Sequence, residues 1–238
     1  MSSLLFSCES WLTNDVKSIN TVYNKTLKYL LGVRNNTCND ITFLETGICD
    51  AKSVIKSRQT NFFRKLYNSS HYNGSYINNI INLVKYHRTP AARYLLEIEN
   101  NNENIYEKFM IETKNKVLRS DTTKRVAYKN MNPELNVHPL YSCNLDEYKR
   151  IEFTRLRLIS HNLRIETQRW SRIEAENRLC NCGLMQNEEH VLCNCPLTQF
   201  IRNKPKYNNL NFASIENLMK SEALDLANYT DEALLYER

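Results

Sequence analysis

The chain has 238 residues, a net charge of +6 and an isoelectric point near 8.8, and 42% of its residues are hydrophobic. With only four glycines and five prolines it lacks the turn residues that an all-β fold needs, so we predict a mainly α fold. No apolar run approaches the roughly 18 residues that span a bilayer. Residues 1–12 lack the basic region of a signal peptide, so we expect an intracellular protein, nuclear or cytoplasmic, without a membrane partner.

Apolar residues recur at intervals of three or four in the first half of the chain, which predicts amphipathic helices that bury one face in a core. Gly32 is the expected stop of the first helix. A polar segment, residues 68–76, is predicted to be a loop. The predicted helices cover residues 15–31, 51–67, 77–86, 91–99 and 105–118.

The helical period fails between residues 128 and 143, where Pro133 and Pro139 occur, and we predict a boundary there. A helix is expected to resume over residues 146–160, with Asp146 or Asn144 as its N-cap, and the last helix over residues 221–236. The predicted division is a helical region over 1–130, an Arg-rich approach segment over 131–178 and a zinc-binding module with C-terminal helices over 179–238.

Half of the eight cysteines lie within sixteen residues, which favours a metal site over a disulfide framework. Cys180, Cys182 and His190, with Cys193 or Cys195 as the fourth ligand, offer three sulfurs and one nitrogen to a tetrahedral Zn²⁺. Gly183 can adopt a positive φ and fold the chain back around the ion. The alternative is a group of reduced cysteines that lie close together without a metal.

Seven arginines and no lysine lie between residues 150 and 178, together with four glutamates. Arginine binds phosphate through two parallel hydrogen bonds, and a tryptophan among arginines can stack on an unpaired base. The predicted RNA or DNA contacts are Arg155, Arg157, Arg164, Arg169, Trp170 and Arg172. The alternative is a salt-bridged surface with Trp170 in the core.

Several short motifs in this region resemble one family. They are Arg155-Leu-Arg157, the octapeptide from Ser160 to Thr167, Arg169-Trp-Ser-Arg172, Arg178-Leu-Cys-Asn-Cys-Gly183, Glu188-Glu-His-Val-Leu192 and Cys195-Pro-Leu197. They look like the C-terminal end of non-LTR (LINE-type) retrotransposon reverse transcriptases, in which a thumb is followed by a connector and a Cys-Cys-His-Cys zinc knuckle. The resemblance implies Cys180, Cys182, His190 and Cys195 as ligands of a structural zinc ion.

The N-terminal part resembles the same family. Residues 24–33, followed by Thr37, Glu45 and Gly47, are similar to the segment just after the polymerase palm. Residues 5–11 resemble the stretch that directly precedes this segment in the family. Cys38 stands where the family has proline, and residues 68–144 carry no assigned motif. The resemblance implies a helical thumb and connector bundle, RNA or DNA as partner, and other retrotransposon polypeptides as further partners.

The catalytic aspartate pair of the family, which holds two metal ions, has no counterpart, because no Asp-Asp occurs in the chain. An endonuclease is also missing, and Met1 stands where the thumb begins. We therefore expect a truncated remnant of an RNA-directed DNA polymerase that binds nucleic acid and does not polymerise. The alternatives are a host protein that uses its zinc module for protein–protein contact, and an incomplete gene model of an active enzyme.

Overall fold

The computed structural model describes residues 16–72, 79, 82, 83, 86 and 104–236. The described part is mainly helical, as predicted, and its β pairing is one antiparallel bridge between Leu179 and Met185. None of its helices combines the length and apolar character that crossing a bilayer requires. The helices are α1 Lys17–Leu30, α2 Asn39–Thr46, α3 Ala51–Tyr72, α4 Ile105–Leu118, α5 Thr123–Met131, α6 Glu147–Arg157, α7 Arg164–Thr167, α8 Gln199–Arg202, α9 Ile215–Met219 and α10 Ala223–Tyr236.

The chain divides into two compact units. Residues 1–26 and 48–113 form the first unit, and residues 27–47 and 114–238 form the second. The predicted three-part division at residues 131 and 179 stays a prediction. In the second unit, residues from both sides of position 179 contribute to one hydrophobic core.

The first unit is built where α1 meets the start of α3. The Asp50 carboxylate accepts a hydrogen bond from the Ser53 backbone N–H (2.8 Å), and the Asn20 side chain accepts one from the Ala51 N–H (3.0 Å). These two acceptors satisfy N–H groups that the first turn of α3 leaves without helical partners. The core of this corner contains Val16, Tyr23, Ala51 and Ile55.

Helix α3 continues to Tyr72, so the predicted loop is wrong for residues 68–72. Asparagine and serine are weaker helix formers than alanine, but the cost is only about 0.5 kcal/mol for each residue. No glycine or proline interrupts this stretch, so the helix continues. The rest of that loop lies outside the described residues. So does the predicted helix at 91–99, and of the one at 77–86 only residues 79, 82, 83 and 86 are described, all helical.

The second unit packs α6 and α10 around a shared core. Asp146 caps α6, as predicted, by accepting a hydrogen bond from the Tyr148 N–H (2.9 Å). The helix ends at Arg157, three residues before the predicted end, because Ile159 has a φ of +51°. The Ser160 N–H then bonds the Arg155 carbonyl (2.7 Å), which closes the helix as in a Schellman motif. The central core residues are Phe153, Leu156, Ile159, Leu192, Leu218, Leu226, Ala227 and Tyr229.

A buried ion pair joins α2 to α6 within this unit. The Glu45 carboxylate is fully buried and accepts hydrogen bonds from Nε and NH2 of Arg157, the latter at 2.9 Å. It also accepts from the Tyr128 hydroxyl (2.9 Å) and, at 3.4 Å, from the Asn132 amide. Burial raises the pKa of Tyr128, so its hydroxyl stays protonated and remains a donor. Each charge therefore has partners in a region that excludes water.

Candidate metal centre

Four side chains converge in the second unit. The ligand atoms of Cys180, Cys182, His190 and Cys195 all lie within 4.8 Å of one another, and the group could hold a metal ion. The Cys180 and Cys195 sulfurs are 3.7 Å apart, and the Cys182 sulfur lies 3.1 Å from Nε2 of His190. The structure thus brings together the four residues that the family resemblance implies as ligands.

A tight turn carries the first two ligands. The Cys180 N–H donates to the Leu184 carbonyl (2.6 Å), and the Gly183 N–H donates to the Cys180 carbonyl (2.9 Å). Gly183 has a φ of +91°, which confirms the prediction that a glycine lets the chain reverse at this point. The bridge between Leu179 and Met185 closes the hairpin just outside the turn. Cys180 and Cys182 therefore face the same space although only one residue separates them.

A π-helical turn, His190–Asn194, begins with the third candidate ligand and is followed directly by the fourth, Cys195. The Cys195 N–H donates to the His190 carbonyl (2.6 Å), a five-residue spacing that is wider than the four of an α-helix. The start of the turn is fixed by Asn187, whose side chain accepts from the His190 N–H (2.7 Å). The wider turn allows two residues five positions apart to reach one site.

Cys193 does not belong to the cluster. Its side chain is buried among the hydrophobic residues of the core, and burial raises its pKa to about 12. Burial raises the pKa of the Cys195 thiol too, so metal binding there would displace a proton. Geometry thus selects Cys195, the ligand that the family resemblance implies.

Three polar side chains donate hydrogen bonds to backbone carbonyls of the π-helical turn and of Cys195. The Thr198 hydroxyl donates to the Val191 carbonyl (2.8 Å), and the Tyr229 hydroxyl donates to the Leu192 carbonyl. Arg202 donates to the Cys195 carbonyl (2.6 Å). Widening a turn removes carbonyls from the usual helical bonding pattern, and buried carbonyls need donors. These three side chains supply them and fix His190 and Cys195 to the core.

Arg164 braces the turn between the first two ligands. Its guanidinium donates to the Leu179 carbonyl (2.5 Å) and to the Asn181 side chain (2.7 Å). Its backbone N–H bonds the side chain of Gln186, which is 2% exposed (2.7 Å). Arg164 was predicted to contact nucleic acid, and the structure shows a supporting role beside the cluster that the sequence pattern did not reveal.

A hydrogen-bonded pair of a buried His161 and a partly buried Glu188 supports the segment that leads to His190. Nδ1 of His161 accepts from the Leu163 N–H (3.3 Å), so Nε2 carries the proton and donates to the Glu188 carboxylate (2.7 Å). Burial alone would raise the pKa of Glu188, but the hydrogen bond from His161 outweighs it and lowers that pKa. Sequence reasoning missed this pair because neither residue falls in the ligand pattern.

Two other arginines with predicted nucleic-acid contacts also bind the protein itself. Arg157 is 2% exposed and paired with Glu45, so its predicted contact with nucleic acid is wrong: the guanidinium serves the core. Arg155 donates to the Gly32 carbonyl (2.6 Å) and to Glu152 (2.7 Å), although its side chain remains 35% exposed.

The remaining predicted contacts lie on a turn just after α7. Trp170 is 66% exposed, so the alternative that placed it in the core is wrong. Arg172 is exposed and has a φ of +55°, while the guanidinium of Arg169 pairs with Glu166. We call these three residues the Trp170 turn: Trp170 and Arg172 face solvent, and the Arg169 side chain is 29% exposed.

Comparison with known proteins adds no relative: no protein-family model, no curated protein and no solved structure matches the chain. The resemblance to retrotransposon reverse transcriptases therefore stays a prediction that depends on the sequence motifs.

Proposed function

We propose that this chain is the thumb, connector and zinc-knuckle portion of a non-LTR retrotransposon reverse transcriptase, and that a structural zinc ion supports its binding of RNA or DNA. The observation that carries the proposal is the convergence of Cys180, Cys182, His190 and Cys195, in the order of the family's zinc knuckle. The basic net charge and the solvent-facing Trp170 turn support the nucleic-acid part.

Zinc is the metal that suits these ligands best. Three thiolates and one imidazole are soft and borderline donors that favour tetrahedral zinc over the oxygen-preferring cations. With Zn–S bonds of about 2.3 Å, two sulfurs on a tetrahedral edge lie roughly 3.8 Å apart, and the Cys180–Cys195 sulfur distance is 3.7 Å. Four protein ligands leave no open position for water or substrate, so the zinc is structural.

The proposed interface is smaller than the Arg-rich sequence suggested. Arg157 is buried and Arg164 braces the metal cluster, which leaves the Trp170 turn as the principal contact, with Arg155 at most a secondary one. An exposed tryptophan offers a stacking surface to an unpaired base, and the nearby arginines offer charge to phosphates. We therefore expect single-stranded RNA or DNA to bind better than duplex.

Catalysis is not part of the proposal for these 238 residues, because no Asp-Asp pair is present to hold catalytic metal ions. Their role would be to bind and orient nucleic acid. Whether a polymerase domain is encoded with them can be read directly from the DNA upstream of the Met1 codon.

The test combines metal analysis with binding measurements. We expect one zinc ion per chain, lost on prolonged chelation, and fluorescence-anisotropy binding of a labelled single strand that weakens steeply with salt. Trp170→Ala should weaken binding about 10-fold. Arg172→Gln should weaken it several-fold and reduce the salt slope by about 1. Arg119→Gln, an exposed arginine outside the turn, is the charge-matched control and should have little effect. A chain without zinc, or binding indifferent to salt, contradicts the proposal.

One observation favours a second candidate, a zinc module for protein–protein contact. The hairpin that carries the first two ligands has exposed apolar side chains, namely Leu179, Leu184 and Met185, with Leu184 59% exposed. Salt-insensitive binding to a defined protein partner, abolished by Leu184→Ser and retained by Trp170→Ala, would support this candidate over the first.

A further inference from the structure

A polar cavity of about 320 Å³ lies in the first unit, between one face of α3 and the start of α4. Its α3 residues are spaced by three or four positions, which places them on the same helical face. The volume is at the lower end of the roughly 300–1,000 Å³ that ligand pockets occupy. The residues that matter for the argument are Ser57, Thr60, Asn61 and Arg64 from α3, and Asn104 and Tyr106 from the start of α4.

Arg64 is the charged group of this cavity. Its Nε is enclosed by protein and meets no hydrogen-bond acceptor among the described residues, and its NH1 reaches the Asn61 side chain at 3.3 Å. An enclosed guanidinium N–H without an acceptor is unfavourable, because it has lost water and gained nothing in return. The guanidinium as a whole lines the cavity, so an oxyanion there would be bound through its terminal nitrogens by charge-assisted hydrogen bonds.

The surroundings of Arg64 also favour an anion. The first residues of α4, a helix of 14 residues, line the cavity, so the partial positive charge of its N-terminus lies there. The Asn104 side chain caps this end by accepting from the Tyr106 N–H (3.1 Å). The Ser57 and Thr60 hydroxyls can donate further hydrogen bonds. No aspartate or glutamate occurs among the described residues that line the cavity. Tyr106, which is exposed, adds an aromatic ring at the same place.

We propose that this cavity binds the phosphate group of a nucleotide, with Arg64 as the principal anion contact and Tyr106 against the sugar or base. The shared chemistry is a phosphate ester, whether it comes from a free nucleotide or from a nucleic-acid strand. The cavity lies in the first unit and the metal cluster in the second, so the inference does not depend on the proposed zinc site.

Calorimetric titration of the full chain with inorganic phosphate, a nucleoside 5′-monophosphate and a short single-stranded RNA tests the proposal. We expect saturable binding of at least one of the two phosphate esters, weakened about 10-fold or more by Arg64→Gln. Lys65→Gln is the matched control, because Lys65 is the next residue of α3, carries the same charge, is exposed and does not line the cavity. It should change binding less than twofold.

The outcomes separate the sources of the phosphate. Binding of the monophosphate alone assigns the cavity to a free nucleotide. Binding of the RNA assigns it to a strand if Arg64→Gln also weakens that binding in a chain that already carries Trp170→Ala, in which the contribution of the Trp170 turn has been removed. If Arg64→Gln fails to fold, Thr60→Val should still weaken binding several-fold. The proposal is overturned if neither ester binds, if Arg64→Gln leaves the affinity unchanged, or if Lys65→Gln lowers it equally.

Discussion

Substitution of Glu45 by glutamine tests the buried ion pair of the second unit. Glutamine has nearly the same shape as glutamate, so the change removes the negative charge and little else. Glu45 is fully buried and Arg157 is 2% exposed, so neither water nor salt can replace the lost carboxylate. The variant would keep a buried guanidinium without a counter-charge and would direct an amide NH2 at donors from Arg157 or Tyr128.

Removing one partner of a buried ion pair costs about 3–5 kcal/mol of unfolding free energy. The paired atoms support a value within this range, because Glu45 accepts two hydrogen bonds from Arg157 and one from Tyr128. For a protein of this size each kcal/mol corresponds to roughly 2–4 °C, so the thermal midpoint should fall by roughly 6–20 °C.

Urea and thermal unfolding followed by far-UV circular dichroism, with metal in excess, measures the change. Glu216→Gln is the control, because it removes the same charge from an exposed pair with Lys220 and should leave the midpoint unchanged within error. Arg157→Met should cost several kcal/mol in the parent chain and much less when Glu45 is already glutamine, a coupling of at least about 2 kcal/mol. Additive effects, or a Glu45→Gln midpoint no lower than the control, would refute the reasoning.

Three further predictions concern the metal cluster and the C-terminal helix. Cys195→Ser should lower zinc affinity at least about 100-fold in a competition titration, whereas Cys193→Ser should retain the metal and lose only stability, and the reverse result would reassign the fourth ligand. Arg164→Gln should lower zinc affinity about 10-fold and Arg172→Gln should not, since only Arg164 braces the ligand turn. The Glu232 carboxylate accepts hydrogen bonds from Lys204 and Lys206. Burial would raise the pKa of Glu232, but these hydrogen bonds lower it from 4.5 to about 2. Glu232→Gln should therefore cost about 1 kcal/mol at pH 6, and the difference from the parent chain, measured by urea unfolding, should shrink as the pH falls from 4.5 towards 2; a constant difference would contradict this.

The positions of some helices could be read from local sequence, whereas α2 and α5 were not predicted. The pattern predicted α4 at residues 105–118, where it lies, and α1 within two residues at each end, because an amphipathic period is repeated several times within each helix. The end of α6 could not be read in this way. It depends on a left-handed Ile159 that is held by its burial, and sequence alone gives no reason to expect a β-branched residue there.

The residues of the candidate site could be predicted from the sequence, because the geometry of a tight Cys-x-Cys-Gly turn depends only on neighbouring residues. The geometry favours Cys195 over Cys193 because of a π-helical turn that no periodicity reveals. Arg157 was misassigned because its partner lies 112 positions away in the chain. Its place four residues after Phe153, on the apolar side of α6, was the available signal that its side chain turns inward.

That separation has a consequence for the order of events during synthesis. The ribosome delivers Glu45 long before Arg157, with the first unit's residues 48–113 emerging between them. Until α6 leaves the exit tunnel, the nascent Glu45 side chain has no counter-charge and must remain hydrated, so α2 cannot dock in its final place. The core of the second unit can therefore form only after α6 has been synthesised, although Glu45 is synthesised early. A polypeptide that begins after residue 47 would bury Arg157 without the carboxylate that neutralises its charge.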